Sequence, residues 1–299
     1  MTRVFDSLAA FRRSGKAALA SGPAALLIAE DAVELGSTLA HLAERGFRSI
    51  AVFAPDTVPL PDPPRPLPAR PALRLARIRM DTRPADTLTE VVNAAIETAP
   101  PGTWLHACYN AEYLMYPFCE SRSVGEMLSF HAEERREALL GFVVDLYAAD
   151  LAQTPSGVDR AAPYLDRIGY YALARAQPDP PNAPRERQLD FYGGLRWRFE
   201  EHTHPARRRI DRIALFRTRP GLRLLPDGTL NVPEMNTYAC AWHHSLTAAI
   251  CSFRAAKALR SNSVSRGEIE SFLWTGSTPF TWTSTQLMEL GLMEPGQWM

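Results

Sequence analysis

Four consecutive residues, Tyr109-Asn110-Ala111-Glu112, interrupt an apolar run that starts at Trp104 and resumes at Tyr113-Leu114. A buried strand that ends in this way delivers an amide and a carboxylate to the rim of an α/β sheet, where ligands bind. Glu30-Asp31 follows the apolar run of residues 24–29, and Asp56 follows that of residues 49–54. At the carboxyl edge of a sheet, Glu30 is placed to recognise a nucleotide and Asp56 a ribose or a base. The competing readings are helix-start charge and a turn aspartate. Gly193-Gly194 is either a backbone that closes on a substrate or a turn before a strand. Asp145 lies inside an apolar run, and a buried carboxylate must be paired or protonated; the favoured role is a structural acid bonded to an arginine. Cys240 with His243-His244 has the residue types of a zinc site, which admits a zinc hydrolase. Against it, no second pair completes the set and adjacent histidines point apart.

The elements that position these residues follow from hydrophobic spacing. Residues 1–22 read as a short N-terminal helix and a turn. Residues 24–29 and 49–54 are buried strands, joined by a helix from Glu30 to Gly46 with Val33, Leu35, Leu39, Leu42 and Ala43 on one face. That is a βαβ unit. A proline-rich loop leads to a third strand at 72–80, a helix at 87–98 and the strand at 103–108. Beyond it the pattern predicts a surface helix at 123–139 and a strand at 141–147. Residues 148–190 form a loop-rich insertion with a short helix near 161–171. A strand at 210–217, a hairpin at 222–232, a helix at 245–259 and one or two helices at 266–294 complete the chain. No internal repeat or low-complexity tract is present, and one domain over residues 1–299 is the economical organisation.

The 299 residues suffice for one large α/β domain or two small ones. Formal net charge is zero, which gives nucleic acid no electrostatic case as a partner. Of 33 basic residues only Lys16 and Lys257 are lysine; with 25 prolines, this reflects base composition more than function, although arginine suits anionic, phosphate-bearing ligands. Four cysteines, Cys108, Cys119, Cys240 and Cys251, show no CxxC pairing and read as reduced. Arg12, Arg13 and Lys16 interrupt the N-terminal apolar stretch, so no signal peptide is expected, and no run is long enough for a transmembrane helix. The expected compartment is the cytoplasm.

Several landmarks, in order, resemble family 2-like GT-A glycosyltransferases of bacterial polysaccharide assembly. They are Leu27-Ile-Ala-Glu30 with the helix ending Ala43-Glu-Arg-Gly-Phe47; Trp104 through Pro117 with Glu120-Ser-Arg-Ser123; Gly141 through Tyr147; Phe191-Tyr-Gly-Gly-Leu-Arg196; Arg212-Ile-Ala-Leu-Phe-Arg217; and Ile250-Cys-Ser-Phe-Arg254. The resemblance implies a GT-A-like α/β fold, a mixed sheet with helices on both faces. It implies transfer of a sugar from a nucleotide-sugar donor to a glycan or lipid-linked acceptor, with possible peripheral contact at a membrane. Donor contacts would come from Glu30, Asp56, Asn110, Arg196, Arg212 and Arg254. Gly193, Gly194, His243 and His244 would line the acceptor cleft, and Glu112 would deprotonate the acceptor hydroxyl, with Glu120 and Asp145 as further carboxylate candidates.

The chain departs from the family at its metal site. The family's Asp-x-Asp ligands fall on Tyr109 and Ala111, and its later histidine falls on Ser252. A manganese or magnesium ion would instead need Asn110 and Glu112, after a one-residue shift of register. The alternative function is a catalytically inactive GT-A-like binding or scaffold protein that has lost its metal ligands.

Overall fold

A computed structural model of the protein describes residues 2–64, 73–177, 183–238 and 246–298. The architecture is α/β with mixed strand directions, in two compact units that each collect three stretches of chain. The first holds Met1–Tyr113, Ser121–Leu139 and Ile213–Asn236; the second holds Leu114–Glu120, Leu140–Arg212 and Thr237–Met299.

The first unit opens with β1 (Arg3–Phe5), α1 (Leu8–Ser14), α2 (Lys16–Leu19), β2 (Ala24–Ile28), α3 (Leu35–Arg45), β3 (Ser49–Ala54), β4 (Arg74–Arg79), α4 (Thr87–Thr98) and β5 (Trp104–Tyr109). Its strands lie in the order β1-β4-β3-β2-β5, all parallel. Every residue of β2 and β3 is buried. A continuous apolar run without alternation is what a parallel strand covered on both faces requires. α3 stops at Gly46, whose left-handed backbone (φ 98°) turns its N–H back onto the last helical carbonyls. α4 buries Val91, Val92, Ala95 and Ile96 and packs against α1.

The chain continues through β6 (Glu112–Met115), α5 (Val124–Glu133), β7 (Ala138–Tyr147), β8 (Tyr164–Asp166), β9 (Tyr171–Ala176), β10 (Pro184–Tyr192), α6 (Leu195–Arg198) and β11 (Asp211–Arg217). From Ile213 onward β11 belongs to the first unit. There it runs antiparallel to β5, pairing Phe216 with Leu105 and Arg217 with Trp104, and makes that sheet mixed. His106 Nδ1 lies 2.6 Å from the Ala214 carbonyl oxygen and pins the same seam.

In the second unit β7 lies parallel to β12 (Ala248–Ser252), with Asp145 opposite Ser252. β8 pairs antiparallel with the end of β7 and with β13 (Ser277–Pro279), and β9 and β10 form a separate two-stranded ribbon. α7 (Arg254–Ser261), α8 (Ser263–Glu268) and α9 (Ser284–Glu289) follow. The core here gathers Tyr147, Leu195, Ala256, Leu259 and Phe272.

The elements differ from the sequence expectations in five places. A three-residue strand precedes the N-terminal helices. α3 begins at Leu35 rather than Glu30, because residues 30–34 are held as a loop. The stretch 161–171 is not a helix; β8 lies there, and β9 and β10 follow. In β9 Tyr171 through Ala174 are all exposed, so no period-two alternation marks it, and its pairing is supported by the Tyr171–Tyr192 ring stack at 5.1 Å. Residues 248–252 form a strand ahead of α7 rather than the start of a helix. A short run buried on all sides fits either state, and parallel pairing with β7 decides it. The hairpin expected at 222–232 reduces to one antiparallel bridge, Leu224 with Leu230. Among the described residues no helix is long and apolar enough to cross a membrane.

His131 on α5 is fully buried and neither ring nitrogen has a hydrogen-bond partner. Burial, helped by the Arg136 charge, lowers its pKa from 6.5 to about 4. The folded state therefore takes up the proton later than the unfolded state as pH falls. Stability is complete above about pH 6.5 and declines toward pH 4, by about 3 kcal/mol in all. Urea unfolding between pH 7 and 4 reads this loss, and His131→Leu should flatten it in that window.

Candidate functional site

The parallel strands of the first unit reverse their direction of succession between β2 and β5. From β2 the chain moves outward to β3 and β4, then returns to place β5 on the other side of β2. In open α/β sheets ligands bind beyond the carboxyl ends of the strands at such a point. Here those ends are the loop after Ile28 and the turn after Tyr109, which face each other across the Ile28–Tyr109 pair.

Asn110 joins the two. Its Oδ1 accepts the Glu30 N–H at 2.9 Å, and its Nδ2 donates to Asp31 Oδ1 at 2.6 Å and to the Val33 carbonyl at 2.8 Å. Asp31 Oδ1 also accepts the Val33 N–H at 2.8 Å. Ala111 is left-handed (φ 61°) and donates its N–H to Thr38 Oγ1 at 2.9 Å. Glu112 Oε2 accepts the Tyr109 N–H at 2.9 Å and closes the turn. Asn110 and Glu112 are fully buried. Next in the chain, the Tyr113 hydroxyl meets Ser37 Oγ at 2.8 Å and donates to the Glu34 carboxylate.

Beside this joint a cleft of about 490 Å3 opens at the carboxyl ends of β2, β3 and β4, with Glu30, Asp56, Arg79, Met80, Asp81 and Arg83 in its lining. Its volume lies within the range of small-molecule sites, roughly 300–1,000 Å3. Arg79 reaches Asp56 at 3.0 Å and Asp6 at 2.9 Å. Arg77 Nη2 donates to the carbonyls of Pro55 (2.9 Å) and Val58 (3.1 Å), which fixes the loop carrying Asp56. Arg83 and Asp81 form a two-bond pair, both bonds 2.9 Å; those hydrogen bonds hold the Asp81 carboxyl below its ordinary range and raise Arg83. The Asp56 side chain is 72% exposed and so remains open to a ligand.

Arg196, Gly193 and Gly194 fall in the second unit, around Asp145. Arg196 Nε stands 3.6 Å from Asp145 Oδ1, and the backbone N–H groups of Leu195 and Arg196, at the start of α6, point at the same carboxylate. Burial raises the Asp145 pKa, opposed by the Arg196 charge and by the backbone hydrogen bonds from Arg196 and Leu195. Arg212, at the start of β11, and Arg254, at the start of α7, are half-buried; the Arg254 N–H bonds to Ser252 Oγ at 3.2 Å. Glu120 accepts the Ser284 N–H and, at 2.7 Å, its hydroxyl; burial works against ionisation there, but these bonds prevail and lower the pKa. Cys240, His243 and His244 lie outside the described residues.

One polar cluster escapes sequence reasoning. Asp166 accepts from Arg198 Nε at 2.8 Å, from Trp274 Nε1 at 2.7 Å and from the Tyr147 hydroxyl, and Arg198 also reaches the Phe272 carbonyl. Burial, with the charge of Asp166, raises the Tyr147 pKa. These partners come from separate stretches of chain, and no spacing rule links them.

The residues at the implied metal position do not fit a divalent cation. Tyr109 and Ala111 supply no carboxylate, and the Asn110 amide oxygen and one Glu112 carboxylate oxygen, Oε2, already accept backbone N–H groups. Among the described residues, no group of three or more His, Cys, Asp or Glu could hold a metal ion. No protein-family model matches the chain, and no curated protein matches it either.

Asn110→Ala removes three hydrogen bonds and is expected to cost about 3 kcal/mol. Asn110→Asp should cost at least as much at pH 7, because it loses both donors and sets a second carboxylate against Asp31. Its deficit relative to wild type should shrink toward pH 4.5, where a protonated acid regains a donor. Parallel urea titrations at the two pH values check both.

Proposed function

We propose that the protein is a GT-A-like transferase domain that binds a nucleotide sugar in the first-unit cleft and transfers its sugar to a glycan or lipid-linked acceptor. The observation that carries this reading is the cleft itself. It lies at the carboxyl ends of parallel strands beside the β2/β5 reversal, with Glu30 and Asp56 in its wall and arginines 79 and 83 beside them. Carboxylates at this edge suit ribose hydroxyls and base N–H groups, and guanidinium groups suit phosphate. The ordered landmarks from Leu27 to Arg254 support the same class, and the reading places the protein in the cytoplasm.

In this reading donor binding does not run through a metal held by Asn110 and Glu112. Those two residues shape the turn. Glu112 is enclosed and bonded to a backbone amide, which disfavours it as the base. That same enclosure supports the second reading, a GT-A-like protein that binds its ligand without turnover.

A thermal-shift panel of nucleoside diphosphates and nucleotide sugars, each with manganese and with EDTA, separates the possibilities. Ligand at 100 times its dissociation constant adds about 2.7 kcal/mol. The melting temperature should rise by several degrees, equally in EDTA, and Asp56→Ala should weaken binding about tenfold, or about 1.4 kcal/mol. A rise that requires manganese would restore a metal site. Binding without sugar transfer to any acceptor would favour the non-catalytic protein, and no rise with any nucleotide would overturn the reading.

A further inference from the structure

β9 is an edge of the two-stranded ribbon in the second unit, and β10 shows which of its backbone groups face outward. Phe191 on β10 donates its N–H to Asp211 Oδ1 at 3.1 Å, and its carbonyl accepts the Ile210 N–H at 2.8 Å, so both groups point away from β9. In an antiparallel ladder the two groups of one residue point the same way and successive residues alternate. Ala172, opposite Phe191, therefore turns its N–H and C=O away from β10, and so does Ala174. Gln177, of the other parity, donates back to the Ala183 carbonyl, which agrees with this alternation. Among the described residues no strand lies beyond β9, and Ala172 and Ala174 are exposed.

Proteins blunt such edges with charge, proline, a bulge or a very short strand. β1, at the edge of the first unit's sheet, is three residues long and begins with an arginine. β9 uses none of these devices. Tyr171 through Ala174 carry no charge and no proline, and the ribbon's register shift falls in β10, between Pro184 and Leu189. The one charge in β9, Arg175, is turned inward; it bonds Asp190 at 2.8 Å and Asp211 at 2.9 Å, and its side chain is 11% exposed. Tyr171 and Leu173, by contrast, are 44% and 54% exposed. Open backbone and open apolar side chains thus coincide on one strand, and a two-stranded ribbon has too little sheet to bury them.

We infer that β9 is a docking edge for a second copy of this chain, paired antiparallel with its own counterpart about a two-fold axis at Leu173, so that two ribbons become one sheet in the order β10-β9-β9-β10. The strand is complementary to itself. With Leu173 opposite its counterpart in the copy, Ala172 falls opposite Ala174, and these outward-facing residues exchange their N–H and C=O groups. Leu173 then forms a pair without hydrogen bonds, the kind in which side chains approach most closely, and Tyr171 lies diagonal to the copy's Leu173. A slip of one residue would set outward-facing groups against inward-facing ones. Charge favours a copy as the occupant: the paired stretch is uncharged and the chain has zero formal net charge, so two copies approach without repulsion. The axis consumes both edges and stops assembly at the dimer. The contact uses second-unit residues alone and does not depend on nucleotide binding in the first-unit cleft.

The test is sedimentation velocity of the full chain at micromolar concentrations, which should show the 33.3 kDa chain in equilibrium with its dimer. Leu173→Lys sets like charges opposite each other across the axis, and Ala174→Pro removes an outward N–H while leaving the ladder to β10 intact. Each variant is first shown to melt cooperatively, and each should weaken dimerisation tenfold or more. An equimolar mixture of Leu173→Lys and Leu173→Glu should recover the dimer, because the axis at Leu173 places the two new charges against each other. Amide exchange at Ala172 and Ala174 should slow as the wild-type concentration rises. A single monomeric species up to about 100 µM would overturn the inference. A dimer unchanged by both substitutions would place the contact elsewhere and overturn it equally, as would polymers in place of dimers or a Lys–Glu mixture that stays monomeric. Failure of the nucleotide panel would leave this measurement standing.

Discussion

The loop after β2 carries polar residues into a region where the sheet supplies no backbone partners. Its shape depends on one amide side chain. Asn110 uses its oxygen and both donor positions of its nitrogen on Glu30, Asp31 and Val33, so the loop is held from a neighbouring strand rather than by its own turn chemistry. The placement of Glu30 in the cleft, the late start of α3 and the left-handed turn at Ala111 all follow from that joint. An amide suits the role because it donates and accepts within one planar group. A carboxylate would only accept and would add charge beside Asp31.

The second unit treats two buried carboxylates in opposite ways. Asp166 is surrounded by donors from Tyr147, Arg198 and Trp274, and Arg198 also lies over the Tyr147 and Trp274 rings at 5.3 and 5.1 Å. That arrangement is a structural anchor, since a buried charge that is paired and fully hydrogen-bonded holds its surroundings in place. Asp145 has the Arg196 guanidinium nearby at 3.6 Å and takes its hydrogen bonds from the backbone N–H groups of Leu195 and Arg196. Side chains supply the donors for one acid, and the first backbone amides of α6 supply them for the other.

The parallel strands were legible because burial on both faces leaves an unbroken apolar run, and the helix at Thr87–Thr98 because its apolar spacing and the prolines after it agree. Residues 248–252 were not, since a five-residue apolar stretch fits helix or strand until its neighbour is known. The 148–190 region hid three strands for a different reason: β9 exposes successive residues, so no alternation records it. At the site, the sequence brought Glu30, Asp56, Asn110 and Glu112 to attention because polar residues ended apolar runs. It did not tell which way they pointed. Asn110 bonds a loop 80 residues earlier, and no local pattern carries that information. The same separation hid Asp166 from Arg198 and Trp274.

β5 is completed on its outer side only when β11 arrives. The Ala214 carbonyl that meets His106 is 108 residues further along the chain. At synthesis rates of roughly 5–20 residues per second, that interval lasts about 5–20 s. For that time a nascent chain carries β5 with one row of backbone N–H and C=O groups unpaired, next to the residues that shape the cleft. An open apolar strand edge is a template for another chain. Order of manufacture therefore sets a burden on this protein that its finished form conceals: the ribosome supplies the strand that covers the edge only after the most vulnerable part of the sheet has emerged.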